Sequence, residues 1–326
     1  MKRILVTGGA GFIGSHLTEA LLARGDFVTV VDDQSTGTIS NLDAVLDSDH
    51  LKFVDGDIGD KALVRQVASD ADEIYHLAAA VGVALIAKEP IQTIERNIAP
   101  TQHLLDAAVE RHLSGKPIRF YLASTSEVYG KNPKSVWNEE DDLVFGATTR
   151  ARWSYGASKA IDEFLALGCW RQTRLPIVIG RFFNVVGPRQ TGDYGMVLPR
   201  FVEAALKKQP LVVHDDGKQV RCFAHVSDII QAVLALMQSP DAVGRVYNIG
   251  SDQPVSILEL AKKVVAVTSP DVPIQFQSYS EAYDKDFEDV RRRVPDLTRL
   301  RETIGFQPKY DLAGIIKEVV ESKLKA

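Results

Sequence analysis

The segment Gly8-Gly9-Ala10-Gly11-Phe12-Ile13-Gly14 sets glycines three apart directly after an apolar run, Ile4 to Val6, and directly before an amphipathic stretch over residues 12–24. That order of strand, glycine turn and helix restricts the chain more than any other feature. The first glycine permits a tight turn, the second lets backbone approach a pyrophosphate, and the third allows helix to pack closely on strand. The helix N-terminus adds amide donors and the positive end of its dipole. Taken alone, such glycines also suit a plain structural turn. Here a second apolar run, Phe27 to Val31, completes a βαβ unit and ends in Asp32, 18 residues after Gly14. A carboxylate there accepts hydrogen bonds from ribose hydroxyls and repels a 2′-phosphate, so the pattern predicts a dinucleotide site that takes NAD rather than NADP.

The alternation continues. Strands are expected at Leu51 to Val54, Glu73 to Leu77, Ile118 to Ala123 and Ile177 to Arg181, with helices near residues 61–69, 97–112 and 154–173. This predicts an α/β architecture of Rossmann type, a doubly wound parallel sheet. After Arg181 the pattern breaks, and glycine, proline and polar residues over Gly187-Pro188-Arg189 and Thr191 to Pro199 favour loop. Val226 to Met237 reads as a helix and Val246 to Ile249 as a strand able to rejoin the sheet. The expected division is therefore residues 1–185 with 223–250 as the NAD-binding part, and residues 186–222 with 251–326 as a smaller, discontinuous C-terminal substrate-binding region. The acidic cluster Glu139-Glu140-Asp141-Asp142 reads as a solvated loop, and Arg291 and Arg292 as solvated cations.

A formal net charge of −5 argues against a protein that grips a nucleic-acid backbone, which needs a basic face. Two cysteines, Cys169 and Cys222, are too few for a disulfide framework, so a reducing cytoplasm is the expected compartment. Seven scattered histidines, with no His-x-x-x-His pair, give no metal site. The N-terminal apolar run stops at Thr7, which is short for a signal peptide, and no stretch is long and apolar enough to suggest a membrane span.

Asp57-Ile58 follows the third expected strand, where it either holds adenine or is an ordinary polar strand end. His76-Leu77-Ala78-Ala79 closes the fourth strand with small side chains that would let a cofactor lie against the sheet edge. Of nine tyrosines only Tyr155 has a lysine four residues later, Lys159. On a helix that spacing puts phenol and ammonium on one face, where the cation can lower the phenol pKa and make it a usable base. The strand at Ile118 to Ala123 runs into Ser124-Thr125-Ser126-Glu127, placing hydroxyls and a carboxylate where open α/β sheets bind ligands.

With these residues in view, and with Asn97, Ser124 to Gly130, Arg181-Phe182-Phe183-Asn184 and Gly187-Pro188-Arg189, the chain resembles an extended short-chain dehydrogenase/reductase of the nucleotide-sugar epimerase, dehydratase and decarboxylase group. The resemblance covers essentially the whole chain. It implies a tightly held NAD and oxidation of a sugar C4 hydroxyl, with Tyr155 as base, Lys159 tuning it and holding the nicotinamide ribose, and Thr125 bonded to the same oxygen. By the same resemblance Gly8, Gly11, Phe12, Ile13, Gly14, Asp32, Asp57, Ile58, Leu77, Ala78, Ala79, Asn97, Tyr155 and Lys159 contact the cofactor. Asn184, Val197, Arg221 and Arg293 contact the substrate.

Members of the group differ in the step after C4 oxidation. Ser126-Glu127 after Thr125 resembles UDP-glucuronate decarboxylases, as do Arg152-Trp153 before Tyr155, Gly217-Lys218-Gln219 with Arg221-Cys222-Phe223, and Arg293 before Pro295. Against this, Gln190-Thr191-Gly192 and Tyr194-Gly195-Met196-Val197 depart from the decarboxylase form and keep a UDP-glucuronate or UDP-glucose 4-epimerase open. A 4,6-dehydratase is the third reading, and a non-catalytic NAD-binding sensor is the reading from another class. The resemblance also implies a homodimer paired through residues 97–112 and 154–173, with Leu104, Leu105, Ala108, Phe164 and Leu167 as apolar positions. Arg221 and Arg293 carry either a phosphate role or a surface ion pair; Trp153 reads as packing.

Overall fold

The computed structural model describes residues 1–80, 90–192, 195–282 and 288–325; Tyr194 lies outside them. Six short apolar runs form successive parallel strands: β1 (Arg3–Thr7), β2 (Phe27–Asp32), β3 (Leu51–Asp55), β4 (Glu73–His76), β5 (Arg119–Thr125) and β6 (Ile177–Phe182). Between them stand α1 (Phe12–Ala23), α2 (Lys61–Ala68), α3 (Pro90–Leu113) and α4 (Ser154–Thr173). The chain then makes β7 (Val185–Val186), α5 (Val197–Leu206), β8 (Leu211–His214), β9 (Val220–Cys222), β10 (Ala224–His225) and α6 (Val226–Gln238) before it returns as β11 (Arg245–Ile249). The remaining elements are β12 (Pro254–Ser256), α7 (Ile257–Thr268), β13 (Ile274–Gln277), α8 (Tyr279–Ala282), α9 (Thr298–Ile304) and α10 (Leu312–Lys325).

Seven strands make one sheet in the order β11-β6-β5-β4-β1-β2-β3. Every neighbouring pair is parallel, and the returning β11 lies beside β6 with Ile249 opposite Phe182. The strand order reverses between β1 and β4, the place where this class of sheet opens a crevice for ligands.

Period-two alternation divides the core. Ile4, Val6, Val28 and Val30 face α1 and α6, while Leu5, Val31, Ile74, Phe120 and Leu122 face α2, α3 and α4. Burial on both faces is why these strands read as unbroken apolar runs. Leu104, Leu105 and Ala108, expected at a dimer contact, lie instead in the second of these cores at 0–1% exposure. The apolar stripe of α3 is taken up by the sheet it covers.

The smaller core gathers Leu198, Phe201 and Val202 of α5, Leu260 and Val264 of α7, and Ile315, Ile316 and Val319 of α10. A Ser256–Glu259 capping box fixes the start of α7. The loop expected to run to Pro199 ends at Met196, because Pro199 occupies the first turn of α5, where its missing N–H is not needed. The acidic cluster is not uniformly solvated either. Glu139 is buried, and its carboxylate accepts the Asn248 N–H at 2.8 Å, an outward donor that edge strand β11 leaves unpaired.

Candidate active site

A cleft of about 700 Å³ opens at the carboxyl ends of β1, β4, β5 and β6. Its floor at one end is the glycine turn. Gly8 has φ +73° and a side chain there would sit 2.7 Å from the Ala78 backbone nitrogen; at Gly14 a Cβ would collide with the Gly8 carbonyl. Gly11 caps α1 without a side-chain bond, so the first-turn amides of α1 keep donors for an anion. Gly8, Gly11, Phe12, Ile13 and Gly14 all line the cleft, as do Asp57, Ile58, Leu77, Ala78 and Ala79.

Asp32 lines the cleft at the tip of β2, its carboxylate accepting the Ala10 N–H at 2.9 Å and the Gln34 N–H at 2.8 Å. Burial lifts its carboxyl above the usual range, and those two amides oppose the rise. A glycine cradle that any Cβ would fill, beside a buried acceptor, fits a dinucleotide. Asp32→Ala is expected to weaken NAD by roughly ten- to a hundredfold, the worth of a charge-assisted hydrogen bond, and to narrow the preference over NADP. Dissociation constants for both cofactors test this, and an unchanged preference would move the role to Asp33.

Two expected cofactor contacts are not at the cleft wall. Asn97 is buried behind it, accepting the Ala80 N–H at 2.9 Å and donating to Ser158 Oγ at 3.0 Å, so it braces the segment after β4. Lys159 is 2% exposed, and its ammonium donates to Asp162 Oδ2 at 2.8 Å. Conversely, Ser35, Thr36, Thr38 and Asn41 line the cleft although no sequence signal marks them. They stand on the loop after β2 and the single short helical turn, Ile39–Leu42, that follows it, which are too brief to carry a periodicity.

Thr125, Ser126, Glu127 and Tyr155 converge on the middle of the cleft, the first three at the end of β5 and Tyr155 in the first turn of α4. Burial pushes the Tyr155 phenol up, the Glu127 charge adds to the rise, a hydrogen bond with Thr125 opposes it, and Asp162 adds again. An i, i+3 carboxylate on the same helix bonds the ammonium that the i, i+4 spacing assigned to the phenol.

The far end of the cleft is cationic. Glu127 is gripped from both sides, by Arg152 Nη1 at 2.7 Å and Arg293 Nη1 at 2.6 Å. Burial raises its carboxyl, but the two guanidiniums outweigh that and hold it well below the usual carboxylate range. Arg221 donates to both oxygens of Asp289 at 2.9 and 3.0 Å, and the Tyr279 hydroxyl donates to Asp289 at 2.8 Å. Arg221 and Arg293 are thus buried rather than surface cations, whereas Arg291 and Arg292 are exposed. Asn184 and Val197 also line the cleft, and the Asn184 amide donates to the Cys222 carbonyl at 2.9 Å. Arg152, marked in the sequence only as part of the Arg152-Trp153 match, is a cleft residue as well. Asp289 and Tyr279 carry no local signal. Trp153 is buried, its indole donating to Glu288 at 3.0 Å.

Among the described residues no His, Cys, Asp and Glu side chains group as metal ligands, and no helix is long and apolar enough to cross a membrane.

The sequence matches the family described as GDP-mannose 4,6 dehydratase over residues 5–319. A UDP-N-acetyl-alpha-D-glucosaminuronate decarboxylase of Bacillus cytotoxicus is 39% identical over 98% of this chain and 97% of its own length. UDP-glucuronic acid decarboxylase 2 of Arabidopsis thaliana is 35% identical over 95% of this chain, which spans only 65% of that plant protein. The crystal structure of UDP-glucuronic acid 4-epimerase from Bacillus cereus, in complex with UDP-glucuronic acid and NAD, superposes with a TM-score of 0.88 at 27% identity and covers 99% of each chain. The glycine turn, Asp32 and the Tyr155 cluster thus sit in a sheet shared with an NAD-bound relative. The chain belongs to the GDP-mannose 4,6-dehydratase-like family of extended short-chain dehydrogenases/reductases and is an enzyme that uses NAD.

Proposed function

We propose that the protein decarboxylates a UDP-linked hexuronate through a 4-keto sugar. The observation that carries this reading is the set of three buried arginines, Arg152, Arg221 and Arg293, against two carboxylates, Glu127 and Asp289, at the end of the cleft beyond Tyr155 and Thr125. That end holds a net positive charge, which suits a substrate with a diphosphate and a sugar carboxylate.

Bound NAD supplies the reversible oxidation at C4. Tyr155 takes the proton of the C4 hydroxyl, and Thr125, bonded to the phenol, orients the same oxygen. With C4 a ketone, the carboxylate on C5 belongs to a β-keto acid. The bond between C5 and the carboxyl carbon breaks, its electron pair moves into the ketone as an enolate, carbon dioxide leaves, and C5 takes a proton from water before the C4 ketone is reduced back to the alcohol of the pentose. Glu127, kept ionised by Arg152 and Arg293, orients the carboxylate-bearing carbon rather than donating a proton. Residues 1–185 with 223–250 hold NAD in this reading, and residues 186–222 with 251–326 hold the nucleotide sugar. Two unpaired cysteines fit a cytoplasmic setting.

The relative from Bacillus cereus supports a second reading, 4-epimerisation of the same uronate, since its fold covers the whole chain. Incubation with NAD and either UDP-glucuronate or its 2-acetamido counterpart separates the readings. Carbon dioxide with a UDP-pentose supports decarboxylation, a galacto-configured uronate without carbon dioxide supports epimerisation, and no turnover of either points to a different nucleotide sugar.

The proposal includes a homodimer paired through α3 and α4. Leu167 is half-buried, but Phe164 is 70% exposed, Ile91 71% and Ile161 44%. Such an apolar surface favours a partner. Light scattering at micromolar concentration is expected to give twice the chain mass, and Phe164→Glu to give a monomer. A monomeric parent protein would refute it.

A further inference from the structure

Arg181 precedes Phe182-Phe183-Asn184 in the sequence and has no part in the chemistry described so far. It is 5% exposed on β6 and meets Glu163, likewise 5% exposed on α4, through Nε at 2.9 Å and Nη2 at 2.7 Å. Neither residue lines the cleft. A buried ion pair is weak evidence of stability, and its best-attested use is to select one arrangement over others. What this pair holds is the turn that carries Thr125, Ser126 and Glu127.

The turn is fastened at both ends, and both fastenings lead to the pair. At its start the Ser124 hydroxyl donates to Glu163 Oε1 at 2.5 Å, and Ser124 lies opposite Arg181 in the β5–β6 ladder. At its end the Tyr129 ring lies under the Arg181 guanidinium, with Cζ 4.7 Å from the ring centre, and the Tyr129 hydroxyl donates to Asn248 Oδ1 on β11 at 2.7 Å. Between them Ser126–Tyr129 make one short helical turn. Thr125 Oγ1 accepts the Glu127 N–H at 3.2 Å, and the Glu127 carbonyl accepts the Gly130 N–H at 3.1 Å.

Glu163 stands about two turns after Tyr155 on α4. The first turn of the same helix touches the same segment, since a Cβ at Gly156 would sit 2.5 Å from the Glu127 carbonyl oxygen. One carboxylate therefore sets the end of β5 against α4, and with it Thr125 against Tyr155.

We propose that Glu163 is a positioning residue: through Ser124 and Arg181 it locks β5, β6 and α4 in the one arrangement that brings the Thr125 hydroxyl to the Tyr155 phenol. The proposal rests on Tyr155 being the base and Thr125 its partner.

Two substitutions break the Ser124–Glu163 bond from opposite sides. Ser124→Ala removes the donor, and Glu163→Asp keeps the charge that Arg181 needs but withdraws it from Ser124. Each is expected to lower kcat on UDP-glucuronate or its 2-acetamido counterpart by roughly ten- to a hundredfold, as misplaced reacting groups do, with KM and the NAD dissociation constant within about twofold of the parent. Ser124 borders the cleft and Glu163 does not, so agreement between the two excludes a lost ligand contact at Ser124. The double variant should lose no more than either single one, and in a Thr125→Val background Ser124→Ala should cost nothing further, because the bond acts through Thr125. In hydrogen exchange the amides of Glu127 and Gly130 should open faster in both variants, while those of β1 keep the parent's protection.

A parental kcat in Ser124→Ala or in folded Glu163→Asp, a loss confined to KM, or losses that multiply in the double variant would overturn the proposal. If Glu163→Asp does not fold, Ser124→Ala with Thr125→Val decides, and losses that multiply there refute it. Should Tyr155→Phe and Thr125→Val keep the parental turnover, or neither sugar nucleotide react, the functional reading fails and exchange alone decides: faster opening at Glu127 and Gly130 upholds the lock, and unchanged opening refutes it.

Discussion

Tyr155→Phe is expected to cut turnover by roughly two to four orders of magnitude, the worth of a positioned general base, while the fold and NAD binding survive. The phenol lines the cleft, and its hydroxyl meets Thr125 rather than a structural partner deep in the core. Removing one oxygen there leaves the ring packing intact and vacates only the proton acceptor. Because burial holds the phenol above its usual range, the parent enzyme should gain activity as pH rises, and that limb should vanish with the hydroxyl. A variant that loses NAD, seen by titration of intrinsic fluorescence, would show that Tyr155 is structural instead.

Glu127→Gln should separate the two halves of the reaction. The substitution keeps the shape and one acceptor oxygen, yet removes the negative charge between Arg152 and Arg293. Two guanidiniums then face the sugar without their counterion and hold its carboxylate where it is, opposing its departure. With Tyr155, the proposed base, intact, C4 oxidation should proceed, so reduced cofactor absorbance should build up on the protein with carbon dioxide release down by about a hundredfold or more. If the protein epimerises instead, no bond at C5 changes. A Glu127→Gln enzyme that interconverts C4 epimers near the parent rate without releasing carbon dioxide would favour that alternative.

Much of this molecule is legible from its residues because its strands are enclosed on both faces and separated by strong turn signals. Ile4 to Val6, Phe27 to Val31 and Ile177 to Arg181 each lie within an observed strand. The glycines are legible for a similar reason: collision with backbone leaves no other residue type at Gly14. The illegible parts depend on distance along the chain or on choice between neighbours. Asp289 meets Arg221 across 68 positions, a pairing no window can see. Lys159 has two suitable partners, at i−4 and i+3, and spacing alone does not rank a phenol against a carboxylate. Glu139 reads as one more solvated acid because the donor that buries it belongs to β11, more than a hundred residues later.

The pairing of β11 with β6 carries a consequence for how such enzymes diversify. Everything between Phe182 and Arg245 leaves β6 at one end and comes back one strand away at the other, with Arg245 opposite Val178, so the two ends of this excursion are fixed by the ladder itself about 14 Å apart. Its later part, α6, covers the sheet face that carries Ile4 and Val6 and is held to that shape, whereas residues 187–222 can change in length and sequence without shifting the register of any strand that carries the glycine turn or Tyr155. That earlier part behaves as a cassette: substitutions and insertions in it retune which sugar is accepted, while the machinery that oxidises C4 is inherited untouched.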